Sequence, residues 1–303
     1  MAVRWDGSVA TDTATDVFEE HRPLLTGVAY RMLGRAADAE DTVQEAWLRW
    51  SAADRAEVRE PRAYLVRITT RLALDRLRKL RAQRETYVGP WLPEPVGPEF
   101  AGAVPDAGDR AVLAESVSFA VLVVLESLSP LERAVFVLRE AFGFPYAEIA
   151  RALDREPAAV RQLAARARRH VGERKPRYRA DPDQQRELTE RFLAAAAGAD
   201  LGALLELLAP DARLVGDSGG RAKAPLRVME SAGKIARFLA AVAGELDGPA
   251  VEFVRREFNG APAVLVLVDG RPDTVVSVDV TAEGRIACVY LVRNPEKLAA
   301  VAV

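Results

Sequence analysis

YAEIARALDREPAAVRQLAARARRH, residues 146–170, is the stretch on which the reading of this chain turns. Ile149, Ala150 and Leu153 recur at helical spacing and make the inner face of a short helix. Asp154 stands where a tight turn needs a left-handed residue, a conformation that Asp tolerates better than most. Pro157 suits the first turn of a following helix, where a backbone N–H has no partner to lose. Val160, Ala164, Ala167 and Val171 give that second helix a buried stripe, and Arg161, Gln162, Arg166, Arg168 and Arg169 lie off it. The spacing fits two helices at a steep angle, the second exposing basic and amide groups: a helix-turn-helix. Arg pairs with guanine edges and Gln with adenine, and either grips phosphate. The same pattern also describes a solvated amphipathic helix in a bundle. Glu156 at the helix entrance counts against DNA, because Ser or Thr caps better there and a carboxylate repels phosphate.

Upstream, residues 15–85 read as helices. Ala29, Met32 and Leu33 share one face, as do Val43, Ala46 and Trp47. From a start at Pro61, Tyr64, Leu65, Ile68, Leu72 and Leu77 recur at helical spacing beneath a basic surface that includes Arg62, Arg67, Arg71, Arg76, Arg78, Lys79, Arg81 and Arg84. Residues 51–60 are a polar connection. In 86–109, Pro90, Pro93, Pro95, Pro98 and Pro105 break any regular element, which makes a linker or loop. Its centre, WLPEP at 91–95, carries a Trp91–Leu92 pair that wants a surface to pack on.

Downstream, 110–172 is helical again, and 183–208 reads as one or two Ala- and Leu-rich helices. After the helix SAGKIARFLAAVAG (231–244) the period changes to two. VEFVRREF (251–258), AVLVLVD (263–269), TVVSVDV (274–280) and RIACVYLV (285–292) read as strands separated by turns at Asn259-Gly260, Gly270-Arg271 and Glu283-Gly284. Helices followed by a strand meander make an α+β domain.

Composition narrows the function. The 303 residues carry 42 Lys+Arg and 44 Asp+Glu, a net charge of -2, and half are hydrophobic, which argues against wholesale disorder. The charge is segregated: residues 126–180 hold 12 basic and 7 acidic groups, whereas 91–125 hold 1 and 5, so nucleic-acid contact is a local question. The single cysteine, Cys288, excludes an internal disulfide and a Cys-rich metal centre, and suits a reducing cytoplasm. His21 and His170 lie too far apart in sequence to suggest a multi-His site, so no metal or cofactor is expected. The first twenty residues hold Asp6, Asp12, Asp16 and Glu19 and no apolar run, so no signal peptide is expected, and no stretch nears ~18 uninterrupted apolar residues, so no membrane span is expected.

Longer strings bring in a family. DAEDTVQEAWLRW (38–50), PRAYLVRITTRLALDRLR (61–78) and LSPLERAVFVLREAFGFPYAEIARAL (128–153) resemble regions two and four of bacterial sigma factors of the extracytoplasmic-function type. WLPEP, DSGGRAK (217–223) and NPEKL (294–298) resemble the motifs of the subgroup whose sigma core is fused to a C-terminal SnoaL-like domain. Ser218 departs from that subgroup's glycine and Glu296 from its aspartate.

The resemblance implies a multidomain chain: two all-α sigma domains, the second with the helix-turn-helix, and a C-terminal α+β cone of the nuclear-transport-factor-2-like, SnoaL-like kind. Residues 13–85 would be region two, 86–109 the linker, 110–175 region four and 183–303 the cone. The partners implied are core RNA polymerase, through its β′ clamp and β flap, and promoter DNA, with no membrane and no separate anti-sigma factor required. Asp41, Gln44, Glu45 and Arg49 would make the polymerase-binding surface; by residue type alone they fit equally the acidic start of a helix. Arg62, Arg67, Arg71, Arg76, Arg78 and Lys79 would track the −10 element and help to open it. Trp47, Trp50 and Tyr64 read as core more readily than as base-stacking groups. Arg161, Gln162, Arg166, Arg168 and Arg169 would read the −35 element. Trp91, Leu92, Pro93, Glu94 and Pro95, with Asp217, Asn294, Pro295, Glu296, Lys297 and Leu298, would be regulatory contacts between linker and cone.

No catalytic residue is expected. SnoaL-like cyclases use a polar dyad that commonly holds His, and residues 183–303 contain none. Asp217 would serve as a base only in a pocket that raised its pKa, and Asp217-Ser218-Gly219-Gly220 reads more simply as a turn. A small ligand in the cone remains open. So do two other classes: a one-component helix-turn-helix regulator with a ligand-binding cone, and a cone-domain enzyme carrying DNA-binding helices.

Overall fold

The structure, a computed structural model, describes residues 9–54, 57–84, 86–97, 100, 118–174, 181–243, 250–299 and 301. The stretch 101–117, which includes the expected linker boundary at 109, lies outside the described residues, as does residue 175. The chain divides into two compact units: residues 1–82, 99–116 and 125–172, and residues 83–98, 117–124 and 173–303.

The first unit is helical. α1 (Val9–Leu33) packs on α2 (Ala36–Ser51), and Gly34 makes the reversal between them at φ 73. Ala29, Met32 and Leu33 are all fully buried, as their spacing requires. Trp50 is core, donating its indole N–H to the Ala14 carbonyl at 2.9 Å, and Trp47 meets Phe18 edge-on. α3 (Pro61–Arg84) buries Leu65, Ile68 and Leu77. α4 (Phe119–Glu126) lies mostly in the second unit, to which residues 117–124 belong, and in the first unit Ser129 opens α5 (Pro130–Phe136) with a reciprocal cap: Ser129 accepts from the Glu132 amide, and Glu132 accepts from the Ser129 amide. α5 runs into one wider π turn, Val137–Ala141. α6 (Tyr146–Leu153) and α7 (Pro157–Arg174) follow. Asp154 closes α6 in the left-handed region at φ 54, ψ 56.

Two arginines are interior to this unit. Arg31 donates to the carbonyls of Gly27 and Phe100, and Arg133 donates to the Arg31 carbonyl at 2.9 Å and pairs with Glu126. Burial pushes both guanidinium pKa values down to about 9, so each keeps its charge at neutral pH against a desolvation cost.

The second unit holds the α+β domain. Asp181 caps α8 (Pro182–Ala197) and Asp200 caps α9 (Leu201–Leu207). Then come β1 (Leu208–Asp217), β2 (Met229–Glu230), α10 (Ala232–Ala243), β3 (Val251–Phe258), β4 (Ala261–Val268), β5 (Arg271–Val280), β6 (Ile286–Val292) and α11 (Pro295–Leu298). The six-stranded sheet runs β2-β1-β6-β5-β4-β3; β1 and β6 are parallel and all other neighbours antiparallel. The expected meander is present, and Asn259-Gly260 makes its first hairpin with both residues at positive φ. β1 goes beyond the sequence reading, which ends the preceding helices at 208 and foresees no strand there.

Alternation along the strands gives the sheet two buried faces. Val276, Val278, Val289 and Leu291 meet Leu188, Phe192, Leu204 and Ile235 of the helices. On the other face Leu265, Leu267, Val275, Tyr290 and Val292 meet Leu92 of the linker, Phe119 and Leu298. Among the described residues no helix is long and apolar enough to cross a membrane.

Asp279 is an ionisable group on this second face. It accepts the Tyr290 hydroxyl at 2.6 Å, and burial lifts its pKa to about 6 despite that bond. The folded state therefore holds a proton that an unfolded Asp, near ~3.9, has released. The resulting stabilisation is complete below the unfolded value and is lost as pH rises through the folded one. Denaturant midpoints of the chain should fall between pH 4 and pH 7, and Asp279→Asn should flatten that decline; an unchanged slope in the variant would assign it to another group.

Candidate functional site

The helix-turn-helix has the geometry its sequence implies. Val160, Ala164, Ala167 and Val171 are buried, while Arg161, Gln162, Arg166, Arg168 and Arg169 are exposed on α7. They are not equivalent. Arg166 pairs with Glu132 at 3.0 Å, and Arg168 reaches the Tyr146 hydroxyl at 2.8 Å and Glu140 at 3.5 Å. Hydrogen bonds from Ser129 and the contact with Arg166 hold the Glu132 carboxyl below its usual pKa, so this pair stays charged. Arg161, Gln162 and Arg169 make no side-chain pair among the described residues.

On α2, Asp41, Gln44, Glu45 and Arg49 are all exposed. Glu45 and Arg49 pair with each other at 2.7 Å, one helical turn apart. Asp41 pairs with Arg76 of α3 at 2.9 Å, and Arg76 also holds the buried Asp38 at 2.5 Å. Burial opposes the Arg76 charge, but the two carboxylates outweigh it and raise its pKa. Arg76 is thus tied into α2, and the other members of the α3 track differ from it. Arg62 stacks over Phe144, Arg67 lies over Tyr64, Arg71 donates to the Ala152 carbonyl, Arg78 pairs with Asp75, and Lys79 is exposed.

A cleft of about 440 Å³ opens beside the start of α3, lined by Ala53, Asp54 and residues 57–60 with Tyr64, Arg67, Phe144 and Arg151. Its wall is mixed in charge, with Asp54, Glu57 and Glu60 facing Arg59, Arg67 and Arg151.

In the second unit, WLPEP has found its surface. Leu92, Pro93, Glu94 and Pro95 are buried and Trp91 is half-buried. Asp217, the last residue of β1, is fully buried and gathers three donors: the Tyr87 hydroxyl at 2.5 Å, the Leu92 amide at 2.7 Å and the Lys297 ammonium at 2.6 Å. Lys297 also donates to the Leu92 carbonyl and lies over the Trp91 ring, 4.1 Å from its centroid. Asn294 caps α11 through its side chain, which accepts from the Glu296 amide and donates to the Tyr87 hydroxyl at 2.8 Å. Pro295 begins α11, Leu298 is buried, and Glu296 pairs with Arg221 at the surface. Asp217 therefore ends a strand, and the reversal falls on Gly219 and Gly220, both at positive φ. Gly219 is pressed against this cluster: an added Cβ would stand 2.6 Å from the Asn294 amide.

Sequence reasoning names the motifs but misses Tyr87 and Asn259 as partners. Asn259 accepts from the Val96 amide and donates its own backbone N–H to the Val96 carbonyl, anchoring the linker directly after WLPEP. Cys288 is buried, and burial together with Asp279 drives its thiol pKa up to about 12, which removes it as a nucleophile. Among the described residues no group of three His, Cys, Asp or Glu is placed to hold a metal ion.

A helix-turn-helix behind a second basic helical region, followed by a mixed-sheet domain, defines a DNA-reading transcription factor, and comparison with known proteins gives its class. Residues 17–83 match the Sigma-70 region 2 family and 118–171 the Sigma-70, region 4 family. The chain belongs to the extracytoplasmic-function (ECF) RNA polymerase sigma factors, proteins that bind core polymerase and direct it to promoters, and its C-terminal domain is SnoaL-like. It is 39% identical over 288 residues to the ECF RNA polymerase sigma factor SigJ of Mycobacterium tuberculosis, covering 92% of this chain and 91% of the relative. It is 32% identical over 289 residues to the probable ECF RNA polymerase sigma factor SigI of the same species, covering 95% of each. The crystal structure of Mycobacterium tuberculosis SigJ superposes with a TM-score of 0.70 at 36% identity, covering 94% of this chain and 98% of that one.

Proposed function

We propose that the sigma activity is divided as follows. Residues 13–85 carry polymerase binding and the −10 contacts, 110–175 carry the −35 contacts, and 183–303 are a regulatory cone that acts through the 86–109 linker. Asp41, Gln44, Glu45 and Arg49 face the β′ clamp, the helix-turn-helix domain meets the β flap, and α7 reads the −35 element. The chain works in the cytoplasm, needs no separate anti-sigma factor, and its cone catalyses no reaction. The observation that carries the DNA assignment is the exposure of Arg161, Gln162 and Arg169 on the side of α7 away from its buried stripe. The burial of WLPEP around Asp217 and Lys297 supports regulation through the linker.

Transcription reconstituted with core polymerase and a cognate promoter tests this reading. Arg161→Ala should weaken promoter binding by ~1–3 kcal/mol if its contact is bidentate to a base. Arg166→Ala should cost less, because Arg166 must leave Glu132 before it meets DNA. Equal affinity of wild type and Arg161→Ala for promoter and scrambled duplexes would reject the recognition face. Changing Asp41 and Gln44 together to Ala should reduce co-purification with core polymerase at moderate salt, where exposed charge contacts are partly screened. Wild-type recovery of the complex would place docking elsewhere.

A further inference from the structure

Two arginines of α3 are engaged by main-chain oxygens at the ends of helices. α6 leaves its final carbonyls without helical partners, as every helix does. The Ala150 carbonyl is served by the amides of Asp154 and Arg155, and the Ala152 carbonyl receives Arg71 Nε at 3.0 Å. At the end of α4, the Leu125 carbonyl takes the Leu128 amide. Arg81 donates to the carbonyl of Glu126, the last residue of α4, at 3.2 Å, and to that of Leu128 in the turn before α5. Arg62, near the start of α3, lies 4.4 Å from the Phe144 ring centre, just ahead of α6. Residues 126–152, from the end of α4 through α6, thus meet α3 near its start, its middle and its end.

A helix C-terminus presents a cluster of oxygens with about half a negative charge. That is the chemistry of a nucleic-acid backbone in weaker form, and a guanidinium binds both by donating N–H groups. We propose that the C-terminal ends of α4 and α6 occupy Arg71 and Arg81 as a stand-in for nucleic-acid phosphates, so that α3 holds either the helix-turn-helix region or a DNA strand, but not both. The inference rests on the reading of α3 as the −10 helix. The contest favours DNA once a strand arrives, because each phosphate carries a full charge whereas the helix end carries a fraction. Both contacts being to backbone carbonyls, the mimic needs no acidic side chain, and side-chain changes within α6 leave it in place.

The test uses the full chain in two arms, read by hydrogen exchange. Without DNA or polymerase, the Arg71→Leu/Arg81→Leu variant should exchange the α6 amides about tenfold faster than wild type, as local opening frees that helix. Wild-type protection of α6 in the variant overturns the proposal. In the second arm, wild-type protein is titrated with single-stranded oligothymidylate, which needs no substitution and so does not depend on a variant's folding. The expected result is slower exchange in α3 with faster exchange in α6. Protection of α3 without release of α6 overturns the competition while leaving the −10 reading intact. Failure of the oligonucleotide to protect α3 overturns both, and promoter-directed transcription by the Arg71→Leu/Arg81→Leu variant at wild-type levels independently counts against the −10 reading.

Discussion

Lys297→Met should destabilise the cone by ~3–5 kcal/mol, the usual result of stripping one partner from a buried ion pair. Both side chains of the Asp217–Lys297 pair are closed to solvent, 0% and 2% exposed, so water cannot replace the lost ammonium. The Leu92 carbonyl and the Trp91 ring lose the same cation, so the linker should loosen along with the sheet. Denaturant unfolding followed by tryptophan fluorescence would measure the loss. Replacing Asp217 by Leu in the same chain should cost less than the sum of the two single changes, with a coupling of about 0.5–3 kcal/mol. Additive costs would show that the two groups do not depend on each other. If the linker carries regulation, the single variant should also change promoter-directed output at matched protein level.

Leu92→Ala should cost ~2–5 kcal/mol, the range for emptying a fully buried leucine site. Leu92 is 0% exposed and packs with the outer-face cluster of Leu265, Tyr290, Val292 and Leu298. Its backbone is fixed at both ends, the amide to Asp217 and the carbonyl to Lys297, so the pocket has little freedom to collapse. The loss should appear first as faster hydrogen exchange at residues 91–96, and Leu92→Met should largely restore protection because it conserves volume. Equal exchange in wild type and Leu92→Ala would mean that the side chain anchors nothing.

The helix-turn-helix was legible because its information is local. The left-handed Asp154, the Pro157 start and the four-residue stripe of α7 are all encoded within twenty-five residues, and each is found as read. The strands from 251 onward were legible for the same reason, since period-two runs between Gly-containing turns have few other solutions. β1 was not. It contains Pro210, carries charged Asp211 and Arg213, and owes its place to a parallel partner more than seventy residues on, which no local pattern encodes. Asp217 shows the same limit. Asp-Ser-Gly-Gly reads as a turn, and only the sheet brings Tyr87, Leu92 and Lys297 to one carboxylate. The basic track on α3 was legible as charge but not as engagement, because Arg71 and Arg81 meet backbone carbonyls, which leave no mark in a sequence.

The parallel pairing of β1 with β6 also sets a timetable. β6 fills the gap between β1 and β5, so until residues 286–292 have been made the sheet is two fragments with raw edges. Leu92 and Lys297 are 205 residues apart, and a ribosome adding ~5–20 residues per second needs roughly 10–40 s to cover that distance. Each newborn chain therefore has both DNA-reading regions translated before the clasp on its linker can exist. A burst of translation is then also a burst of unclasped sigma factor, whose lifetime is set by the elongation rate of the message.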